Sequence, residues 1–276
     1  MNNMEYFTPQ SIEEALRLLA EHSPAIMVMS GGTIVMPLIN EGISFPEKVL
    51  GIKQAGLNYV QGENGTLKIG VAATLSQVKR DCGIAILEQA AGSIGGWAIQ
   101  NMGTAGGNLF APPPAGDLAA ALLALDAELV IRSLKGQRSL PLESFYRGFL
   151  TTALEPDELV SEIRVPKPAG KTAFNKLARK GANTPAVVTA AVHLVFEGLK
   201  VSTARVALNA IGPHPMRMFK CEAVLEGSAL ETDTISAAAE AAANDCEPFT
   251  DAIASDWYRR RMVGVIVART LAGITG

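Results

Sequence analysis

Residues Gly95-Gly96-Trp97-Ala98-Ile99-Gln100-Asn101-Met102-Gly103-Thr104-Ala105-Gly106-Gly107-Asn108-Leu109-Phe110 carry two Gly-Gly pairs, the second of them in a glycine turn from Gly103 to Asn108. Glycine lacks a Cβ, so its amide can approach another group closely, and consecutive amides form a concavity that suits an anion. The inner stretch, Thr104-Ala105-Gly106-Gly107-Asn108, has a counterpart far upstream in Ser30-Gly31-Gly32-Thr33. Each puts a hydroxyl residue beside its glycines, and two such loops together would clamp a pyrophosphate. Taken alone, either is an ordinary chain reversal. Neither fits G-x-G-x-x-G or G-x-x-x-x-G-K-[ST], which argues against a nicotinamide-type Rossmann site or a P-loop.

Working outward, the first loop sits between an apolar run, Ala25 to Met29, and a segment from Ile34 to Ile39 that can open a helix. Ahead of it, Ser11 caps a helix with apolar residues Ile12, Ala15, Leu16, Leu18 and Leu19 at a period of 3.6, and Lys48 to Ile52 follows as a second strand. The first ~50 residues therefore predict a β-α-β unit, which needs its crossover helix to join parallel strands. Asn64-Gly65, between Tyr59-Val60 and Leu67 to Ile69, predicts a hairpin because both residues tolerate positive φ. Thr74-Leu75-Ser76-Gln77 caps a further helix, and Ile84 to Ile94 supplies another. Beyond Pro112-Pro113-Pro114, Asp117 to Leu125 reads as a buried helix with Asp117 as a candidate N-cap, and Ala127 to Ile131 and Glu158 to Val165 read as strands. Pro166-Lys167-Pro168-Ala169-Gly170 is the linker candidate. After it, Val187 to Phe196 and Val201 to Ile211 alternate as strands while Asp233 to Ala243 and Trp257 to Ala272 are helical, the order of an antiparallel sheet backed by helices.

The chain has 276 residues, 48% of them hydrophobic and 18% charged, a balance that supports one large or two modest folded domains and excludes disorder. A formal net charge of −3 without long basic blocks argues against nucleic-acid binding. Cys82, Cys221 and Cys246 are far apart and include no C-x-x-C pair, so no metal is expected on this chain. The N-terminus lacks the basic and apolar regions of a signal peptide, and no apolar stretch reaches the ~20 residues of a membrane span, so a soluble cytoplasmic protein is expected.

The Gly95 to Phe110 string, followed after six residues by Asp117, strongly resembles the flavin-binding (medium) subunit of the molybdenum hydroxylases, the family of the carbon monoxide dehydrogenase medium subunit and the xanthine dehydrogenase FAD subunit. Matches also run in family order through Ser30-Gly31-Gly32-Thr33, Leu122 to Glu128, Phe145-Tyr146-Arg147-Gly148, Thr152 to Leu159 and Lys176 to Lys180. The resemblance implies an α+β fold: a two-subdomain α/β FAD-binding domain over 1–168, divided at about residues 1–54 and 55–168, then a C-terminal antiparallel sheet with helices over 169–276. It implies non-covalent FAD whose pyrophosphate is bound by Ser30, Gly31, Gly32, Thr33, Ile34 and Val35 and by Thr104, Ala105, Gly106, Gly107 and Asn108, through amides and threonine hydroxyls. By the same resemblance Asp117 hydrogen-bonds the ribityl or ring edge, Val160 meets the ring edge through its backbone, and Lys176 borders the flavin, where a cation stabilises reduced, anionic flavin. No catalytic acid or base is implied.

The implied partners are a large molybdopterin subunit and a small subunit with 2Fe-2S clusters. Electrons from the small subunit would pass through FAD to an acceptor, which could be NAD, oxygen, quinone or a ferredoxin. A self-contained flavin oxidoreductase and a flavin-free assembly protein are the other readings. The chain departs from the family at Ile34, where an acidic residue is usual, at Ala105, where a bulkier one is usual, and at Phe110-Ala111-Pro112-Pro113-Pro114, where many members carry a histidine and a serine. His22 is expected at a solvated helix end, His193 as a satisfied sheet residue, His214 in a turn, and Arg259-Arg260-Arg261 as a solvated helix face.

Overall fold

A computed structural model describes residues 4–275. The chain begins as the β-α-β pattern requires. Strand β1 (Glu5–Phe7), helix α1 (Ile12–His22), strand β2 (Ile26–Met29), helix α2 (Val35–Asn40) and strand β3 (Lys48–Gly51) form a three-stranded parallel sheet in the order β1-β3-β2. The Ser11 hydroxyl accepts from the Glu14 amide as N-cap of α1, whose buried stripe is Ile12, Ala15, Leu16 and Leu19.

A second sheet is wholly antiparallel and joins elements distant in sequence. Its strands β4 (Val60–Glu63), β5 (Thr66–Gly70), β6 (Glu128–Ser133), β7 (Gly136–Pro141) and, after the small ribbon β8 (Tyr146–Gly148) and β9 (Thr151–Thr152), β10 (Leu159–Pro166) lie in the order β4-β5-β10-β6-β7. Asn64 and Gly65 turn the β4–β5 hairpin at φ +47° and +77°. Helices α3 (Leu75–Asp81), α4 (Ala85–Ser93), α5 (Trp97–Met102), α6 (Ala105–Leu109) and α7 (Asp117–Ala124) connect β5 to β6. Thr74 and Gln77 close a full capping box on α3. Every residue of α7 is buried, as an all-round apolar helix must be.

The third sheet, β11 (Lys171–Ala178), β12 (Ala186–Glu197), β13 (Lys200–Asn209) and β14 (Met216–Arg217), is antiparallel in sequence order. One face of β12 and β13 presents Val188, Ala190, Val192, Val206 and Leu208 to a core shared with α8 (Phe219–Leu225), α9 (Thr232–Asp245) and α10 (Asp256–Thr275). The period of two sends Ala191 and Ala207 the other way, into the core that α7 shares with the first two sheets. Burial on both faces is why β12 is apolar at most positions on either side.

Five expectations are corrected. The glycine stretch after Gly103 is a one-turn helix rather than an open turn, since Thr104 caps it by accepting from the Gly107 amide at 3.1 Å. Asp117 is the first residue of α7, and the cap is Gly116 at φ +92°. Arg259 is fully buried rather than solvated: its guanidinium donates to the carbonyls of Ala186, Val187 and Ala210 and pairs with Asp251 at 2.7 Å. His22 stacks on Phe7 and meets Lys48 Nζ at 3.0 Å, so it is half-buried. His193 is satisfied at one nitrogen only, with Nε2 on the Ala169 carbonyl and Nδ1 unpartnered.

Candidate functional site

Parallel strands β2 and β3 end at the same side of their sheet, and the chain leaves β2 directly into Ser30-Gly31-Gly32-Thr33. This turn lies against the segment that ends α5 and starts α6. Thr104 Oγ1 donates to Ser30 Oγ at 3.0 Å, and a Cβ built on Gly31 would stand 2.0 Å from the Met102 carbonyl oxygen. Backbone meets backbone there, so only glycine fits. Gly32, at φ +70°, supplies the left-handed residue that turns the chain into α2.

The two runs line one cavity of about 420 Å³, within the usual range for a cofactor site. Its walls are mainly aliphatic, among them Val28, Ile52, Leu75, Ile94, Leu159 and Val160. Ser30, Gly31, Gly32, Thr33, Ile34 and Val35 line it, as do Thr104, Gly106, Gly107 and Asn108. Ala105 does not face it; it is fully buried, with its amide on the Ala73 carbonyl at 2.8 Å.

The amides of the two runs have different fates. Among the described residues, no hydrogen bond within the chain ends on the amides of Gly31, Gly32, Thr33, Ile34 or Val35. Five consecutive donors beside a cavity are open to water or to a ligand, and the concavity they form suits an anion. In the second run Ala105 and Gly106 donate to the carbonyls of Ala73 and Val71 at the end of β5, Gly107 to the Thr104 hydroxyl, and Asn108 to the Thr104 carbonyl. What this run offers the cavity is side chains. Asn108 accepts from the Leu118 amide at 3.1 Å through Oδ1, which leaves its NH₂ as a donor.

Asp117 and Lys176 lie outside this lining. They meet each other: Lys176 Nζ stands 2.7 Å from Asp117 Oδ2 and donates to the Ser93 carbonyl at 2.9 Å. Asp117 Oδ1 also accepts from Thr189 Oγ1 at 2.6 Å and Asn209 Nδ2 at 3.1 Å. A carboxylate buried at 2% exposure is tenable only with such partners. Thr189 and Asn209 sit on the α7-facing side of β12 and β13, and Lys176 on the matching side of β11, so the ion pair stitches the third sheet to α7 and α4. Lys176 also borders a second, polar hollow of about 680 Å³ with Ser93, Arg179 and Lys180. Ser93 faces this hollow while the next residue, Ile94, faces the aliphatic cavity.

Sequence reasoning missed Glu158 and Arg138. Glu158 lines the cavity beside Val160, and Arg138 grips it with two contacts of 2.7 Å, holding the carboxyl below its ordinary range. Its signal was absent because Arg138 lies on β7, an exposed edge strand without apolar alternation.

The cavity is bordered by a run of amides without partners in the chain, at a point where Gly31 packs too closely on the Met102 backbone to carry a Cβ, and by aliphatic walls. That donor set suits a ligand with a pyrophosphate and flat apolar rings, and FAD is such a ligand. Comparison with known proteins agrees. Residues 2–168 match the FAD binding domain in molybdopterin dehydrogenase, and residues 172–274 match the CO dehydrogenase flavoprotein C-terminal domain. The caffeine dehydrogenase subunit beta of Pseudomonas sp. (strain CBB1) is 37% identical over 83% of this chain and 80% of its own. The 6-hydroxypseudooxynicotine dehydrogenase complex subunit alpha of Paenarthrobacter nicotinovorans is 31% identical over 98% of this chain and 94% of its own. The structure of carbon monoxide dehydrogenase from Hydrogenophaga pseudoflava contains a chain that superposes with a TM-score of 0.94 at 30% identity, covering 99% of this chain and 97% of that one. The chain therefore belongs to the family of FAD-binding subunits of the molybdopterin-dependent dehydrogenases, the molybdenum hydroxylases.

Proposed function

We propose that this chain is the electron-transfer subunit of a cytoplasmic molybdenum hydroxylase, receiving electrons from the 2Fe-2S clusters of a small partner and delivering them to a final acceptor. The reducing substrate would be oxidised at molybdopterin on a large partner. The observation that carries this reading is that Gly31 to Val35 line an aliphatic cavity while their amides, among the described residues, have no partner within the chain. Flavin bound there supplies the step between one-electron and two-electron carriers.

In this reading residues 1–168 carry the flavin and 169–276 form the C-terminal α+β domain. The amides of Gly31 to Val35 hold the pyrophosphate, and the Asn108 NH₂ adds a side-chain donor, while Thr104 braces the Ser30 hydroxyl. Val160 and its aliphatic neighbours exclude water from the cavity. The Asp117–Lys176 pair fixes the third sheet against α4 and α7, so that Lys176 stays beside the polar hollow as a fixed positive charge. The acid–base chemistry of substrate oxidation is left to the large partner. Relatives named for caffeine and for 6-hydroxypseudooxynicotine share 31–37% identity with this chain, which supports a subunit that does not choose the reducing substrate. Among the described residues, no helix is long and apolar enough to cross a membrane.

Absorption spectra of the chain, purified with whatever chains accompany it and then acid-extracted, test this. One FAD per chain, with iron–sulfur and molybdenum signals only in the complex, is expected. A preparation without flavin, alone or in complex, would overturn the reading.

A further inference from the structure

The string Phe145-Tyr146-Arg147-Gly148 carries part of the family resemblance, yet none of its residues lines the cavity. Its surroundings show what it does. Helix α6 is a single turn, and the last carbonyls of any helix lack intrahelical partners. The carbonyls of Gly107 and Asn108 accept from the amides of Phe110 and Ala111 respectively, but the carbonyl of Leu109 takes its bond from the side chain of Tyr146 at 3.1 Å. Burial pushes the Tyr146 phenol well above its ordinary pKa, so it is a donor at every working pH.

The Tyr146 ring is held in turn from both domains. Phe145, fully buried, packs edge-on to it at 5.2 Å between centroids and edge-on to Phe110 at 5.6 Å. On the other side His214, in the Gly212-Pro213-His214-Pro215 turn, stacks on it at 5.2 Å and 10° between planes. His214 is itself fixed, since its Nδ1 faces the Pro215 carbonyl at 2.9 Å, and a carbonyl only accepts, so Nδ1 carries the proton.

We propose that Tyr146 is a positioning residue for FAD binding. Clamped by His214 from the C-terminal domain, it holds the end of α6 and thereby sets where Gly107 and Asn108 stand at the cavity wall. The proposal rests on the FAD reading above and adds a route by which the C-terminal domain tunes flavin affinity without touching the flavin.

The test is fluorescence titration of the flavin-free full chain with FAD, alongside thermal melting of the apo protein. Tyr146→Phe removes one hydrogen bond and keeps the ring, so its Kd for FAD is expected to rise about five-fold. His214→Ala removes the stack and should raise Kd about three-fold, whereas His214→Phe, which keeps a stacked ring, should stay near wild type. Tyr59→Phe is the control, because it loses a phenol bond, to Glu162 at 2.7 Å, away from the cavity. It should lower the apo melting temperature and leave Kd unchanged. Wild-type affinity in Tyr146→Phe, or equal weakening by His214→Ala and His214→Phe, would overturn the proposal. If Tyr146→Phe does not fold, the two His214 variants decide. Failure of the wild-type chain to bind FAD would instead overturn the functional reading itself.

Discussion

Ser30 to Val35 and Thr104 to Asn108 border the same cavity, yet among the described residues the amides of Gly31 to Val35 have no partner within the chain while those of Ala105 to Asn108 are spent inside it. The difference comes from what each run is packed against. The first follows the end of a parallel strand, whose neighbour β3 stops at Gly51. The second lies across the end of β5, where Val71 and Ala73 present carbonyls that take the Ala105 and Gly106 amides. Similar glycine strings therefore do two jobs, one as a backbone cradle and one as a brace that carries a side-chain donor.

The largest expected effect comes from Gly31→Ala. Its Cβ would meet the Met102 carbonyl at 2.0 Å and force the two runs apart, a cost of ~3 kcal/mol that should reappear as about a hundred-fold weaker FAD binding by titration. Gly106→Ala separates the roles. Its Cβ would stand 2.5 Å from Val71 Cβ, so calorimetry should show a stability loss of ~2 kcal/mol, with Kd for FAD in the folded fraction changed far less than in Gly31→Ala. Equal losses of affinity in the two variants would break the distinction. Thr104→Val removes the cap of α6 and the hydrogen bond to Ser30, which should cost ~1 kcal/mol of stability and loosen the contact between the runs.

The smallest effect lies at the far wall, which neither run reaches. The Arg138 guanidinium holds Glu158 below its ordinary pKa of 4.5, so the pair's contribution is present above pH 4.5 and is lost as pH falls through the lower folded value. Melting temperatures measured from pH 5 to 3 should fall less steeply in Arg138→Leu than in wild type. A parallel decline would remove the pair from the acid response.

Much of the fold was legible because its signals are local. The Ser11 cap, the Thr74–Gln77 capping box and the Asn64-Gly65 hairpin each act within a few residues, and the structure has all three. The glycine runs marked the cavity for the same reason, since a missing Cβ is visible in one residue. What the sequence hid depends on distant partners. Nothing near Ala105 or Gly106 says that carbonyls some thirty residues earlier take their amides. The Asp117–Lys176 pair and the buried Arg259 likewise join segments that only the third sheet brings together, and charge alone makes each look exposed. Strand β7 escaped because an exposed edge needs no apolar alternation.

Hydrogen–deuterium exchange of the flavin-free chain with and without added FAD tests the contrast most directly. Amides without partners exchange fast and slow down only when a ligand accepts from them. Protection should rise on FAD addition in peptides covering Gly31 to Val35, while Ala105 to Asn108 should be slow in both states. A gain confined to Ala105 to Asn108, with Gly31 to Val35 still fast, would contradict the assignment of cradle and brace.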